Sequence, residues 1–499
     1  MNIASRHTRV RVEQDHFIPV SKNRLVETLL RQIDDSQQKQ RFAAFCRLIE
    51  ATYHFEHHQM SQELKQDFRL FDSDSVHSEI SRLTGEQIEQ VEDRFLANFR
   101  KLMEKANFRL LSQADIEVAE AEEYLFSLPV QVDWEKLDRE MLGRFLEKQP
   151  AEIGGTSPPR FAERILIFHR GVGVDKTSGF LILQKVDFLV SRLLEWITKP
   201  FARRAVREPA SQEESQPGTS DEAIPAAAEI QDNCVFEDRY VERINLRSTG
   251  VSLRSLFNRT LMQEPTFKEL VILFRFATPP TTEAEEEAPP EDHRKVFVKA
   301  FRDIPMADLE VVFPAKRISM ELVDRIKLIV IGGVGVVMVL FKLIFTAALN
   351  PLLLLATLFS VGGYAGKIFV GFKAARDRYH NLVTQSLYHK NLDNDLGVIF
   401  YVVDALEAQE FNEAVLAYFC LLQDGEMKQD QLDSCCERFL QQHFNEEVNF
   451  EVHDALAKLV REKIVNQTGD GYRALPIAKA LKQLDSNWDN LFKYHGVDD

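Results

Sequence analysis

The stretch Leu328–Phe372 reads LIVIGGVGVVMVLFKLIFTAALNPLLLLATLFSVGGYAGKIFVGF, and its glycines invite a nucleotide reading. GGVGVV looks like a dinucleotide loop and VGGYAGK like a phosphate loop. A dinucleotide fingerprint needs a third glycine and, some 20 residues on, an acid for the ribose. Here Gly333 and Gly335 are followed by Met338 at the third position, and no Asp or Glu occurs from Leu328 to Phe372. A phosphate loop needs Ser or Thr after Gly-Lys, yet Gly366-Lys367 precedes Ile368, and Val361 stands where the first glycine belongs. Both nucleotide readings fail.

Length favours lipid. Residues 328–348 and 351–372 are two apolar runs of 21 and 22 residues, each holding one charge, Lys342 or Lys367. As helices they measure about 31–33 Å, against a hydrocarbon core of about 30 Å. Asn350-Pro351 divides them, since Pro cannot continue the first helix. The expectation is a two-helix transmembrane hairpin over 321–375. Arg325 and Lys327 precede it, Lys373, Arg376 and Arg378 follow, and the turn is uncharged. The positive-inside rule then puts both termini on the cytoplasmic side. Gly362 and Gly366, with Ala356 and Ser360, supply the small residues for close helix packing. Lys342 and Lys367 have no acidic partner in the hairpin and are expected to snorkel to headgroups. Two spans without an acid argue against a pump or channel.

The chain has 499 residues, too many for one hydrophobic core, so several domains are expected. A formal charge of −16 argues against a nucleic-acid coat. The five cysteines form no CxxC pair, which suits a reducing compartment. The first residues lack the apolar core of a secretory signal.

Residues 1–150 read as a helical region. RFAAFCRLIEATY places Phe42, Phe45, Leu48, Ile49 and Tyr53 on one face. The same helix holds the one metal-like cluster, His54, His57 and His58. HFEHH is not HExxH, so a solvated helix face is the preferred reading and no metal or cofactor is expected. Residues 151–320 read as a small mixed α/β domain, with β-rich runs RILIFHRGV, SGFLILQKV, ELVILFRFA and KVFVKAFRDI. Arg170-Gly171 after the first run could cradle an anion, or simply turn the chain. Two Pro- and acid-rich segments, 207–233 and 278–293, read as disordered linkers.

Residues 376–499 run helix, helix, hairpin, helix, the order of a winged-helix-like domain, with Gly469-Asp470-Gly471 as the hairpin signal. Winged helices bind DNA or protein, and charge arbitrates. From Asn391 onward there are 21 acids against 9 bases, a net of −12. Six of those bases fall between Lys458 and Lys482, so Lys458, Arg461, Lys463 and Arg473 are candidate wing contacts to DNA. The acidic surroundings favour a protein contact, and nucleic acid is disfavoured.

Three stretches carry a resemblance: DHFIPVSKNRLVETLL (15–30), RILIFHRGVGV (164–174) and KAFRDIPMADLEVVFPAKRISMELVDRIKL (299–328). They resemble the transmembrane protein 143 family, which has a domain of unknown function ending in paired membrane segments. Its most specific part here is Phe301, Arg302, Asp303, Ile304 and Pro305, then Asp308, Leu309, Glu310, Phe313 and Pro314. The resemblance implies a membrane setting (bacterial inner membrane, or mitochondrial in a eukaryote) and brings no catalytic residue. The sequence therefore predicts an α+β membrane protein. Its expected function is a membrane-anchored scaffold or interaction protein, with a membrane-tethered DNA-binding regulator as the alternative. Expected partners are the lipid bilayer, an unidentified protein and, as an option, further copies of the chain.

Overall fold

The structure, a computed structural model, describes residues 9–12, 16–71, 84–120, 130–148, 159–179, 239–242, 260–277, 295–318 and 387–491. It also places Phe359, Gly363, Gly366, Val370, Lys373, Asp377, Asn381 and Gln385 in helix. In chain order the first elements are β1 (Arg9–Val12), α1 (Lys22–Arg31), α2 (Ser36–Arg69), α3 (Gly85–Lys105), β2 (Arg109–Leu110), α4 (Gln113–Glu120), β3 (Val130–Val132) and α5 (Glu140–Lys148). Then come β4 (Ile165–Gly179), β5 (Arg239–Glu242), β6 (Thr260–Arg275), β7 (Val296–Pro305), a 3-10 turn (Met306–Val312), β8 (Lys316–Ile318) and β9 (Asn391–Asn394). The last are α6 (Leu396–Asp424), β10 (Met427–Lys428), α7 (Gln429–Phe444), α8 (Val452–Arg461), β11 (Val465–Thr468), β12 (Gly471–Ala474) and α9 (Ile477–Leu491).

The chain forms two compact units. One comprises Met1–Val12, Lys176–Glu264 and Met320–Asp377; within it β1 pairs antiparallel with β5, Arg9 opposite Glu242. The other comprises Glu13–Asp175, Pro265–Ser319 and Arg378–Asp499, and the packing and sites described below lie in it.

Helix starts are written in its sequence. Asp35 accepts from the backbone N–H groups of Gln37 and Gln38 to begin α2. Thr84 and Gln87 cap each other reciprocally to begin α3. Packing then decides the rest. Burying a Leu or Phe side chain contributes about 1.5–3 kcal/mol, more than the spread of helix propensities among ordinary residues.

The packing makes two cores. In the first, Phe42, Phe45 and Ile49 of α2 meet Val415, Tyr418 and Leu421 of α6, with Leu432 of α7 and Leu456 of α8. In the second, Leu64 and Phe68 of α2 meet Val398, Val402 and Leu406 of α6, with Phe95 and Phe99 of α3. A five-stranded sheet in the order β2-β4-β6-β7-β9 lies against this second core. Along β7, Val296, Val298 and Ala300 face the core, and Phe297, Lys299 and Phe301 face away. β6, β7 and β9 pair antiparallel, with a bulge where Phe301 stands opposite Asn391. After α6, the short sheet β10-β12-β11 brackets α7 and α8, and Gly469 takes a left-handed φ of 61° in the hairpin turn.

Arg170 of β4 is buried between the rings of Phe17 and Phe108, 3.9 and 4.5 Å from their centroids. It donates to Glu269 and to the Ala106 carbonyl, and Glu269 also accepts from the Tyr401 hydroxyl at 2.7 Å. Its guanidinium is thus engaged internally, and the anion-cradle reading has no support. Gly171 takes a left-handed φ of 73° inside β4, which continues to Gly179, so it does not turn the chain either.

The membrane fold class and membrane localisation require correction. The structure is mixed α/β with antiparallel sheets, and among the described residues no helix is long and apolar enough to cross a membrane. The transmembrane hairpin, its two cytoplasmic termini and the bacterial inner-membrane setting rested on hydropathy and length. Both quantities measure escape from water, and a protein core meets that demand as a bilayer does. α6 illustrates the point: from Ala414 to Leu421 it is apolar all round, yet it is enclosed by protein and carries Glu407, Glu410 and Glu413 in the two turns before. Of the hairpin 321–375, Phe359, Gly363, Gly366, Val370 and Lys373 are described, all exposed and helical, and a Cβ on Gly366 meets no described atom. Arg325, Lys327, Lys342, Ala356, Ser360, Gly362, Lys367, Arg376 and Arg378 lie outside the described residues, as do the linkers 207–233 and 278–293.

Candidate functional site

The two longest described helices, α2 and α6, run antiparallel. Phe45 stacks on Tyr418 with centroids 4.2 Å apart, His54 meets Glu407 midway, and Lys65 lies over the Phe400 ring further along. Where the two cores meet, both helices turn polar together. His54 Nδ1 sits 3.1 Å from each oxygen of Glu407, and His57 Nε2 sits 2.7 Å from Glu410 Oε2. Lys458, reaching in from α8, lies 3.0 Å from the other Glu410 oxygen.

Electrostatics fixes the protonation of this belt. Burial pushes the Glu410 carboxyl up, but the His57 hydrogen bond and the Lys458 ammonium outweigh it and hold the group at about 2. An ionised carboxylate only accepts, so His57 donates through Nε2. One turn on, Glu413 is fully enclosed, and burial raises it to about 8 against the opposing pull of Lys458 and Gln409. Gln409 donates to Glu413 at 2.6 Å and to the His16 carbonyl, and accepts from the Ile18 N–H. Asn412 donates to the Val20 carbonyl. The belt therefore also holds residues 16–20 onto α6. No described residue hydrogen-bonds the buried Tyr53 hydroxyl or Asn412 Oδ1.

The histidines divide by face. His57 points inward; His54 and His58 are exposed, their rings 6.3 Å apart. Among the described residues no group of three or more His, Cys, Asp or Glu is arranged to hold a metal ion.

The wing candidates divide too. Lys458 is bound to Glu410, and Arg461 donates from both terminal nitrogens to Glu56 of α2 at 2.9 and 2.7 Å. Lys463, at a left-handed φ of 58°, and Arg473 of β12 are exposed. Of the exposed positions of α8, His453, Asp454 and Ala457 carry no Lys or Arg, and Arg461 at its end is half exposed while it holds Glu56.

The Phe301–Pro314 motif is mostly packing. Phe301, Ile304, Pro305 and Leu309 are buried, Arg302 is exposed, and Phe313 packs on Trp134 and Phe161. Glu310 is exposed, and its carbonyl accepts from the Phe313 N–H to close the 3-10 turn. Asp303 takes a left-handed φ of 52°, turning its carbonyl to the Lys390 ammonium at 2.6 Å. Burial raises Asp308 to about 6, with Lys390 pulling it down and Asp175 pushing it up. Burial likewise lowers Lys390. This acid–base cluster exchanges a proton near pH 6, and it staples β7 to the residues before β9.

Glu407, Glu410 and Glu413 went unnoticed in the sequence. Their signal was EAQEFNE: acids at i, i+3 and i+6 on an otherwise apolar helix, matching the three-residue step from His54 to His57.

Three thiols also converge. Cys420 Sγ lies 3.8 Å from Cys436 Sγ, and the half-exposed Cys435 donates to Asp424 at 3.6 Å. Burial raises Cys436 and pushes Cys46 up to about 12. Hydrogen bonding to Cys420 raises Cys435 first of all. Raised thiols in acidic or apolar surroundings are inert. Under native conditions iodoacetamide is therefore expected to label Cys435 slowly and to leave Cys46, Cys420 and Cys436 unmodified until denaturant is added. Mass spectrometry of digested protein reads this directly; fast native labelling of Cys436 contradicts the packing.

No curated protein and no solved structure matches this chain. Residues 267–397, from within β6 through β7, the Phe301–Pro314 motif and β9 to Gly397 of α6, are similar to a family described as a protein of unknown function (DUF3754).

Proposed function

We propose that this chain is a scaffold that presents its folded units to a protein partner, with the winged-helix-like C-terminal segment serving as part of its framework. The observation that carries this is the commitment of Lys458 and Arg461 to Glu410 and Glu56. A DNA-reading module turns its basic helix outward to phosphate. Here Lys458 turns inward to Glu410 of α6, and the half-exposed Arg461 is held by Glu56 of α2. The exposed face of α8 holds Asp454 in a region of 9 bases against 21 acids.

Two experiments test this. Fluorescence anisotropy of the full chain with labelled duplex DNA at low salt is expected to show no binding. Salt-dependent binding weakened by Lys463→Ala and Arg473→Ala overturns the scaffold reading in favour of a DNA-binding regulator. In the second arm, a protein captured by crosslinked pull-down is expected to rebind the purified chain in size-exclusion chromatography. If no captured protein rebinds, and light scattering shows no self-association either, the scaffold reading fails.

A further inference from the structure

A cavity of about 370 Å³ opens on the face of the sheet turned away from the second core. Its apolar wall is Ile272, Phe274, Phe301 and Phe313, and the exposed Tyr388 stands at its rim. Three polar side chains interrupt that wall: Lys299 of β7, and Asn391 and Asn394 of β9.

Two features set this polar trio apart from chance. The first is backbone geometry. In a regular strand, side chains three residues apart point to opposite faces. Lys299 stands opposite Asn394, and Ala300 opposite Asp393, but Phe301 stands opposite Asn391. The bulge accommodates the extra residue Leu392, which packs against the second core, and it returns Asn391 to the cavity face beside Asn394. The second is charge. Lys299 has Ile272 as its neighbour on β6 and Asn394 on β9. Among the described residues no acid forms an ion pair with it. A half-buried ammonium flanked by two carboxamides, above an aromatic floor, is the donor set for one anionic oxygen pair with an apolar body attached. All of these residues fall within the segment 267–397.

We propose that this cavity binds a small amphipathic carboxylate. Its carboxylate sits on Lys299 between Asn391 and Asn394, and its hydrocarbon lies against Phe274, Phe301 and Phe313. At about 30 Å³ per water-sized group, the volume admits roughly a dozen non-hydrogen atoms, the size of decanoate. This site is independent of the scaffold role.

Isothermal titration of the full chain with decanoate, below its micellar range, tests the assignment. The expected result is saturable binding at one site, weakened about tenfold or more by Lys299→Met and preserved in Lys299→Arg, as befits loss of a charge-assisted hydrogen bond. Decanol is expected to bind more weakly than decanoate, with an affinity that Lys299→Met leaves unchanged. Decyltrimethylammonium is expected not to bind. A thermal melt of Lys299→Met matching the parent shows that the fold is intact; if that variant unfolds, Asn391→Leu provides the same comparison. Absence of saturable decanoate binding overturns the proposal. So does equal affinity for decanol, or decanoate binding that is indifferent to both substitutions.

Discussion

Glu410→Ala is expected to destabilise the protein by about 3–5 kcal/mol, the cost of removing one partner from a buried charged group. Glu410 joins three helices: α6, which carries it, α2 through His57 and α8 through Lys458. Removing the carboxylate strands an ammonium and an imidazole N–H where little water reaches them. His57 is only 2% exposed, and the Lys458 side chain only 17%. Apolar contacts do not compensate, because the shortened side chain also leaves a void between the cores. Glu410→Gln keeps the shape and one acceptor, so it is expected to fall between the two. Urea unfolding followed by circular dichroism measures both variants. A shift below about 1 kcal/mol for Glu410→Ala, the size of an exposed pair, shows that the belt does not join the helices.

The second large effect is a dependence on pH with an unusual sign. Glu413 has an ordinary value of 4.5 and a folded value of about 8, so the folded chain holds a proton that the unfolded chain has lost. Stability from this group is present below pH 4.5 and is lost as pH rises to about 8. The full difference is worth about 5 kcal/mol. Asp308 acts in the same direction between 3.8 and about 6. Glu410 acts oppositely: its contribution is present above 4.5 and is lost as pH falls toward about 2. Together they place maximal stability in mildly acidic solution and a decline toward alkaline pH. Glu413→Gln keeps an acceptor for Gln409 and cannot ionise. It is expected to cost about 1–2 kcal/mol at pH 5, where its extra N–H lacks a partner, and to exceed the parent in stability at pH 9. Thermal melts of both proteins across that range would show crossing curves. Parallel curves would mean that Glu413 is ionised in the folded state.

Much of the local structure was legible in the sequence. Gly469-Asp470-Gly471 announced a hairpin turn, Phe42, Phe45, Ile49 and Tyr53 announced a buried face, and the caps Asp35 and Thr84, though not singled out, are equally local. The alternation in KVFVKAF announced β7. Each of these signals acts within a few residues, through a cap, a turn dihedral or a side-chain period, so a window of sequence contains its whole cause.

What the sequence did not contain was the partner of each face. His54, His57 and His58 read as a solvated face, and Lys458 and Arg461 as a strip free to meet DNA. His57 and Lys458 meet instead at Glu410, because α2 and α6, some 350 residues apart, place their polar turns at the same level between two cores, while His54 and His58 stay on the exposed face. Asn391 and Asn394 were not singled out in the sequence; only pairing with β7 through a bulge brings them to one side. Apolar length at 328–372 matched a bilayer, yet escape from water is a demand that any apolar environment satisfies, and the structure describes no helix that crosses a membrane. The sequence by itself set where helices and strands begin and which side of each avoids water. Tertiary structure alone decided what each side meets, because charge pairing and burial depend on distances through space that sequence separation does not encode.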